Sequence, residues 1–125
     1  MKPNEPRVLI VDDMPAVRQE LSTLLLLVGG LQIVGEAADG REAVALAQAR
    51  RPDVVLMDLE MPGVNGYEAT RQIKTHCPAC RVIALTVHGD AATRHKASDA
   101  GADEFVVKGA PINILLQAVT NERSY

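Results

Sequence analysis

Five residues could do chemistry together if the chain brings them to one place: Asp12, Asp13, Asp58, Thr86 and Lys108. The first two are neighbours, directly after the apolar run in VLIVDDMP. Two carboxylates about 4–5 Å apart repel by roughly 3–4 kcal/mol at an effective dielectric near 20. A hydrated turn could absorb that cost, but the other three residues share the habit: each ends an apolar run, in VVLMD, VIALT and FVVK. Their combined formal charge is −3 + 1 = −2, which a divalent cation would relieve. The donors are oxygens, with no His or Cys among them, so Mg²⁺ fits best, with Mn²⁺ or Ca²⁺ able to substitute. A carboxylate beside such an ion, an amine and a hydroxyl suits phosphoryl transfer. Asp58 would be the nucleophile that forms an acyl phosphate. Lys108 and the cation would neutralise the transferred oxygens, and Thr86 would donate a hydrogen bond to them. A helix cap or a turn explains any one of these acids. It does not explain all five positions.

These residues need elements that converge. Apolar runs recur at Val8–Val11, Leu31–Ala37, Val54–Met57, Val82–Leu85 and Phe105–Val107. Four are continuous and rich in Val, Ile and Leu, as expected of parallel strands buried on both faces. The second, LQIVGEA, mixes in polar residues and reads as an edge. Between the runs lie helical patterns. Val17, Leu21, Leu24, Leu25 and Val28 share a stripe closed by Gly29-Gly30, and shorter helices are predicted at Gly40–Ala49 and Gly66–Thr75. Ile112, Leu115, Leu116 and Val119 form the last stripe, with Pro111 at its first turn. Segment 90–100 has only alanines on its apolar face, so its helix should be weakly anchored and mobile. Five strand–helix alternations predict a doubly wound parallel α/β fold with helices on both faces. Ligands in such sheets bind beyond the carboxyl ends of the strands, which is where all five residues fall.

The chain's 125 residues make one domain. Its 47% hydrophobic content excludes general disorder. With 13 basic against 16 acidic residues and no basic cluster, it is a poor direct partner for nucleic acid. The longest apolar run, LLLLV, is far too short to span a membrane, and Met1–Asn4 show no secretory signal, so a cytoplasmic location is expected. Cys77 and Cys80 form CPAC. A redox pair of the thioredoxin kind sits at a helix N-terminus, whereas this one follows a helix, and zinc would need more ligands than nearby His76 supplies. An inert loop is expected there.

The sequence resembles a response-regulator receiver domain of two-component signalling over residues 6–121. The likeness is carried by VDD, DLEMPGVNG from Asp58, ALT ending at Thr86 and FVVK ending at Lys108. DDMPAVR and FVVKGA are similar to the NarL/FixJ-type branch. The resemblance implies a flavodoxin-like, CheY-like fold with strand order 2-1-3-4-5. It implies that a sensor histidine kinase phosphorylates Asp58 and that Asp13 and Asp58 bind Mg²⁺ directly. Asp12 would bind through water, and the backbone carbonyl of Glu60 would be a further ligand. Thr86 and Phe105 match the family's switch pair, and the face of helix 4, strand 5 and helix 5 would respond. A homodimer is a further partner that such a domain allows. In this branch DNA is contacted through a following helix-turn-helix domain, and none is expected within this chain. The alternative is a single-domain regulator that acts by protein contacts.

The sequence departs from the family pattern in two places. Gly109 follows Lys108 where relatives often carry Pro, and Val87 follows Thr86 where alanine is common. Val87 could shield an acyl phosphate from water or simply pack under its loop. Phe105, the only Phe, could equally be plain core. His76, His88 and His95 read as surface residues, Met61-Pro62 as shaping a turn, and Gly66 as opening a helix. The chain is not expected to be an enzyme beyond catalysing its own phosphoryl transfer and slow loss. A haloacid-dehalogenase-like phosphatase would need D-x-D on strand one. A flavodoxin-like electron carrier would need a phosphate loop where VDDMP stands. An interaction module that is never phosphorylated would not need the full acidic, Thr and Lys set.

Overall fold

The computed structural model describes residues 5–120. The outer limits expected at residue 121 and at the two chain ends lie outside these residues. The elements run β1 (Arg7–Val11), α1 (Pro15–Val28), β2 (Gln32–Ala37), α2 (Gly40–Arg50), β3 (Val54–Asp58), α3 (Gly66–His76), β4 (Arg81–Thr86), α4 (Ala91–Ala100), β5 (Glu104–Val107) and α5 (Ile112–Thr120). All strand pairs are parallel, in the order β2-β1-β3-β4-β5, and LQIVGEA is an edge as its polar content predicts.

Alternation along the strands divides the core into two layers. Leu9, Val11, Val55, Met57 and Val82 face α2 and α3, where Ala43, Ala47, Ala69 and Ile73 meet them. Val8, Ile10, Val54, Leu56, Ile83 and Leu85 face α1 and α5, meeting Leu25, Leu115, Ala118 and Val119. The α1 stripe is narrower than predicted. Leu25 is buried and Leu21 packs on the same layer, but Leu24 and Val28 are exposed beside Leu26 and Leu27. At 100° per residue, Leu24 lies about 80° and Val28 about 40° off the midline of Leu21 and Leu25, the direction that faces the sheet.

Helix α4 buries only Ala97 and Ala100, as its composition implies. It is nonetheless capped at both ends: Asp90 accepts from Thr93 N–H, and Gly101 takes a left-handed conformation at φ 104°. Cys77 and Cys80 fall in the α3–β4 turn, as expected, but they are joined as a disulfide rather than free. Beside them Lys74 Nζ donates to the carbonyls of Pro78 and Cys80 and to Asp103 Oδ2 at 2.9–3.0 Å, tying the turn to the loop before β5. All peptide bonds among the described residues are trans, Lys108–Gly109 included, and Gly109 sits at φ 90°.

Candidate functional site

Sheet register builds the site. Val11 pairs with Met57, so the next residues, Asp12 and Asp58, emerge side by side at the carboxyl edge. Thr86 pairs with Val107, and Lys108 N–H donates to Thr86 O at 2.7 Å, placing the lysine one step further along. Five residues spread over the sequence therefore share one rim. Asp12, Asp13 and Asp58 each offer a carboxylate oxygen, all within 4.8 Å of one another. Lys108 Nζ lies 2.9 Å from Asp12 Oδ2 and 3.2 Å from Asp58 Oδ1.

Local structure fixes the buried acids. Asp12 accepts from Met14 N–H at 2.9 Å, and Arg18 Nη1 donates to its carbonyl at 2.7 Å. Asp58 accepts from Glu60 N–H at 3.1 Å. The backbone passes so close behind Asp58 that a Cβ on Gly66 would stand 2.1 Å from the Asp58 carbonyl oxygen. Gly66 does open α3, capped by Asn65 through Glu68 N–H, and this contact is why no side chain can stand there. Met61 is buried in the turn after β3, in keeping with a shaping role.

Electrostatics set these groups apart from ordinary surface acids. Asp58 is 2% exposed, and its pKa is pushed up to about 6. Burial is the main cause and the Asp12 charge adds to it, while the Glu60 N–H and Lys108 pull the other way. For Lys108, burial opposes the ammonium, but hydrogen bonds and attraction from Asp12 and Asp58 outweigh it and raise the pKa. The three carboxylates and one ammonium leave two formal negative charges, and the donor set is oxygen only. That set fits a hard divalent ion such as Mg²⁺.

Two expected site residues sit elsewhere or bond otherwise. Phe105 is half-buried in a cluster with Leu59, Ala84, Ala97 and Tyr67, with the Arg94 guanidinium 4.5 Å over its ring. Thr86 is fully buried, and its hydroxyl donates to Glu60 Oε1 rather than towards Asp58. His88 N–H donates to Thr86 Oγ1 at 3.0 Å, and His88 Nε2 lies 3.7 Å from Glu60 Oε1. The sequence alone points to Glu60 only for its carbonyl and to His88 only as a surface residue. The available signal was position, since each lies two residues past a strand-end site residue. Val87 is 63% exposed, which excludes packing under the loop.

Comparison with known proteins gives the same picture. The family described as the response regulator receiver domain matches residues 8–120. The response regulator GacA of Pseudomonas protegens is 41% identical over 113 residues, 90% of this chain and 53% of that protein. VraR of Staphylococcus aureus is 39% identical, over 90% of this chain and 54% of its own length. The chain thus spans about half the length of the curated relatives it matches. Among solved structures, a LuxR-family two-component response regulator from Aurantimonas sp. SI85-9A1 superposes with a TM-score of 0.89 at 39% identity, covering 94% of this chain and 84% of that one. The receiver domain of NarL from Mycobacterium tuberculosis gives 0.86 at 31% identity, covering 97% and 100%. These neighbours lie in the NarL/FixJ branch that DDMPAVR and FVVKGA indicate. The family's span over nearly every element, and the agreement of relatives with structures, assign the chain to the response-regulator receiver domains of two-component systems.

Proposed function

We propose that Asp58 accepts a phosphoryl group from the phosphohistidine of a sensor kinase and that the resulting acyl phosphate switches the α4–β5–α5 face. The observation that carries this reading is the packing of three carboxylate oxygens within 4.8 Å, with Lys108 Nζ 3.2 Å from Asp58 Oδ1. An Asp58 oxygen attacks phosphorus, the P–N bond to imidazole breaks, and the imidazole leaves with a proton. Asp13 and Asp58 would hold Mg²⁺ directly, joined by the Glu60 carbonyl and, through water, by Asp12. When bound, the ion neutralises the phosphoryl oxygens. Lys108 shares that task and already contacts the acceptor oxygen.

The product adds close to two negative charges at a buried rim. Thr86 and Lys108 are drawn to them, and Phe105 and α4, anchored by alanines, repack. Only contacts that differ between the two states move that balance. The chain is read as a signalling domain that turns over no substrate of its own, working in the cytoplasm. Among the described residues, no helix is long and apolar enough to cross a membrane. By analogy with longer relatives, of which it spans about half, its output would be control of transcription through a DNA-binding domain that this sequence does not include; action by protein contacts alone is the second reading. Incubation with acetyl phosphate and Mg²⁺ should retard the protein on a Phos-tag gel. An Asp58→Ala protein that shifts equally would refute the assignment.

A further inference from the structure

The Glu60 side chain has a role that the phosphoryl-acceptor reading does not assign. We infer that its carboxylate is a resting latch: it competes with the phosphoryl group for the single hydroxyl proton of Thr86 and so sets how readily the acceptor site takes up a tetrahedral oxyanion. The inference rests on the reading of Asp58 as acceptor and deepens it. Glu60 is a positioning residue here, acting through Thr86.

A threonine hydroxyl has one proton to donate and lone pairs to accept with. In this structure both capacities are used. The proton goes to Glu60 Oε1, and the oxygen accepts from His88 N–H at 3.0 Å. Thr86 is completely buried, so water does not compete for that proton. It can donate to an oxyanion on Asp58 only by leaving Glu60. The exchange is feasible because the Glu60 side chain is 43% exposed, and once released its carboxylate can hydrate. His88 holds the other end: its backbone N–H grips the threonine oxygen while its ring faces Glu60 Oε1 at 3.7 Å. The loop after β3 and the loop after β4 are thus joined through one hydroxyl. A net hydrogen bond of ordinary strength corresponds to about a fivefold change in an equilibrium. That is the scale of the effect expected.

The test uses beryllofluoride with Mg²⁺, a non-covalent phosphoryl mimic, titrated calorimetrically into the intact chain. Glu60→Ala should bind it about fivefold more tightly than the wild type. Glu60→Gln, which keeps an acceptor without the charge, should fall between them. In a Thr86→Ala background the Glu60→Ala gain should shrink to within about twofold, as a double-mutant cycle requires when two groups act through one contact. Thr86→Val replaces the alanine variant should the cavity unfold the chain. An equal gain with and without the Thr86 hydroxyl would overturn the latch, since Glu60 would then act by charge repulsion alone. No gain in Glu60→Ala, or Glu60→Gln matching Glu60→Ala, would overturn it too. A wild type that binds no beryllofluoride would sink the phosphoryl reading itself, whereas binding without coupling to Thr86 sinks only the latch.

Discussion

Asp58 is almost fully buried, with a pKa pushed up to about 6, chiefly because burial disfavours its charge. A carboxyl whose folded pKa lies above its unfolded value favours the fold while protonated. That advantage is complete below the ordinary carboxyl value of 3.8 and is lost as pH rises through about 6. At neutral pH the ionised group therefore costs on the order of 3 kcal/mol. Asp58→Asn should stabilise the metal-free protein by about that much at pH 7.5 and by almost nothing at pH 4. Urea midpoints at the two pH values check it, and equal midpoint gains would contradict the burial argument. Val87 directly follows the buried Thr86 yet is 63% exposed, so it does not support the loop from beneath. Val87→Ala should shorten the lifetime of the phosphorylated protein by admitting water, and an unchanged decay rate rules that out.

The elements were legible wherever a residue's local pattern agrees with its tertiary use. Three of the four Val/Ile/Leu runs, in β1, β3 and β4, are buried strands because both their faces are covered. The Phe105–Val107 run is the other sheet edge with only Val106 buried, so its apolar composition overstates its burial. The order of strand and helix follows from all four. What escaped needs a neighbour to be seen. LLLLV looks uniformly apolar, yet only Leu25 faces the sheet, since burial depends on direction as well as residue type. The closeness of Gly66 to the Asp58 carbonyl is equally invisible in a sequence, and it makes a sharp prediction. A Cβ there would meet backbone at 2.1 Å and 2.7 Å, neither of which is a side chain that can swing away. Gly66→Ala should destabilise the fold by about 1–3 kcal/mol or more and displace Asp58, read as a lower urea midpoint together with weaker beryllofluoride binding. The CPAC turn shows the same limit, because its spacing permits a bond without requiring one. Closing so short a loop contributes roughly 2 kcal/mol on a chain-entropy view. Reduction should therefore expose two titratable thiols and lower the urea midpoint, and oxidised protein that already titrates two thiols would contradict the bond.

Across the whole molecule, the site exists because a parallel sheet turns distant sequence into adjacent strand ends. Asp12 and Lys108 lie 96 residues apart and 2.9 Å from each other. The acids, the threonine and the lysine could be named from the sequence because each ends an apolar run. The bonding of Glu60 could not, because a surface acid two residues past a strand end looks the same whether it hydrates or holds a hydroxyl. The fold therefore carries an uncompensated acidic rim that its own lysine only partly neutralises. A ligand that binds only the folded state stabilises it by mass action, by about 2.7 kcal/mol at a hundredfold excess over its dissociation constant. Magnesium chloride should therefore raise the melting temperature of the wild type progressively, while sodium chloride of equal ionic strength should do much less, since screening acts on exposed charges more than on the buried Asp12 and Asp58 of this cluster. Asp13→Asn removes one carboxylate from the trio without opening the core, so most of the magnesium-specific rise should vanish with it. If both proteins gain equally from magnesium, the three carboxylates do not share an ion.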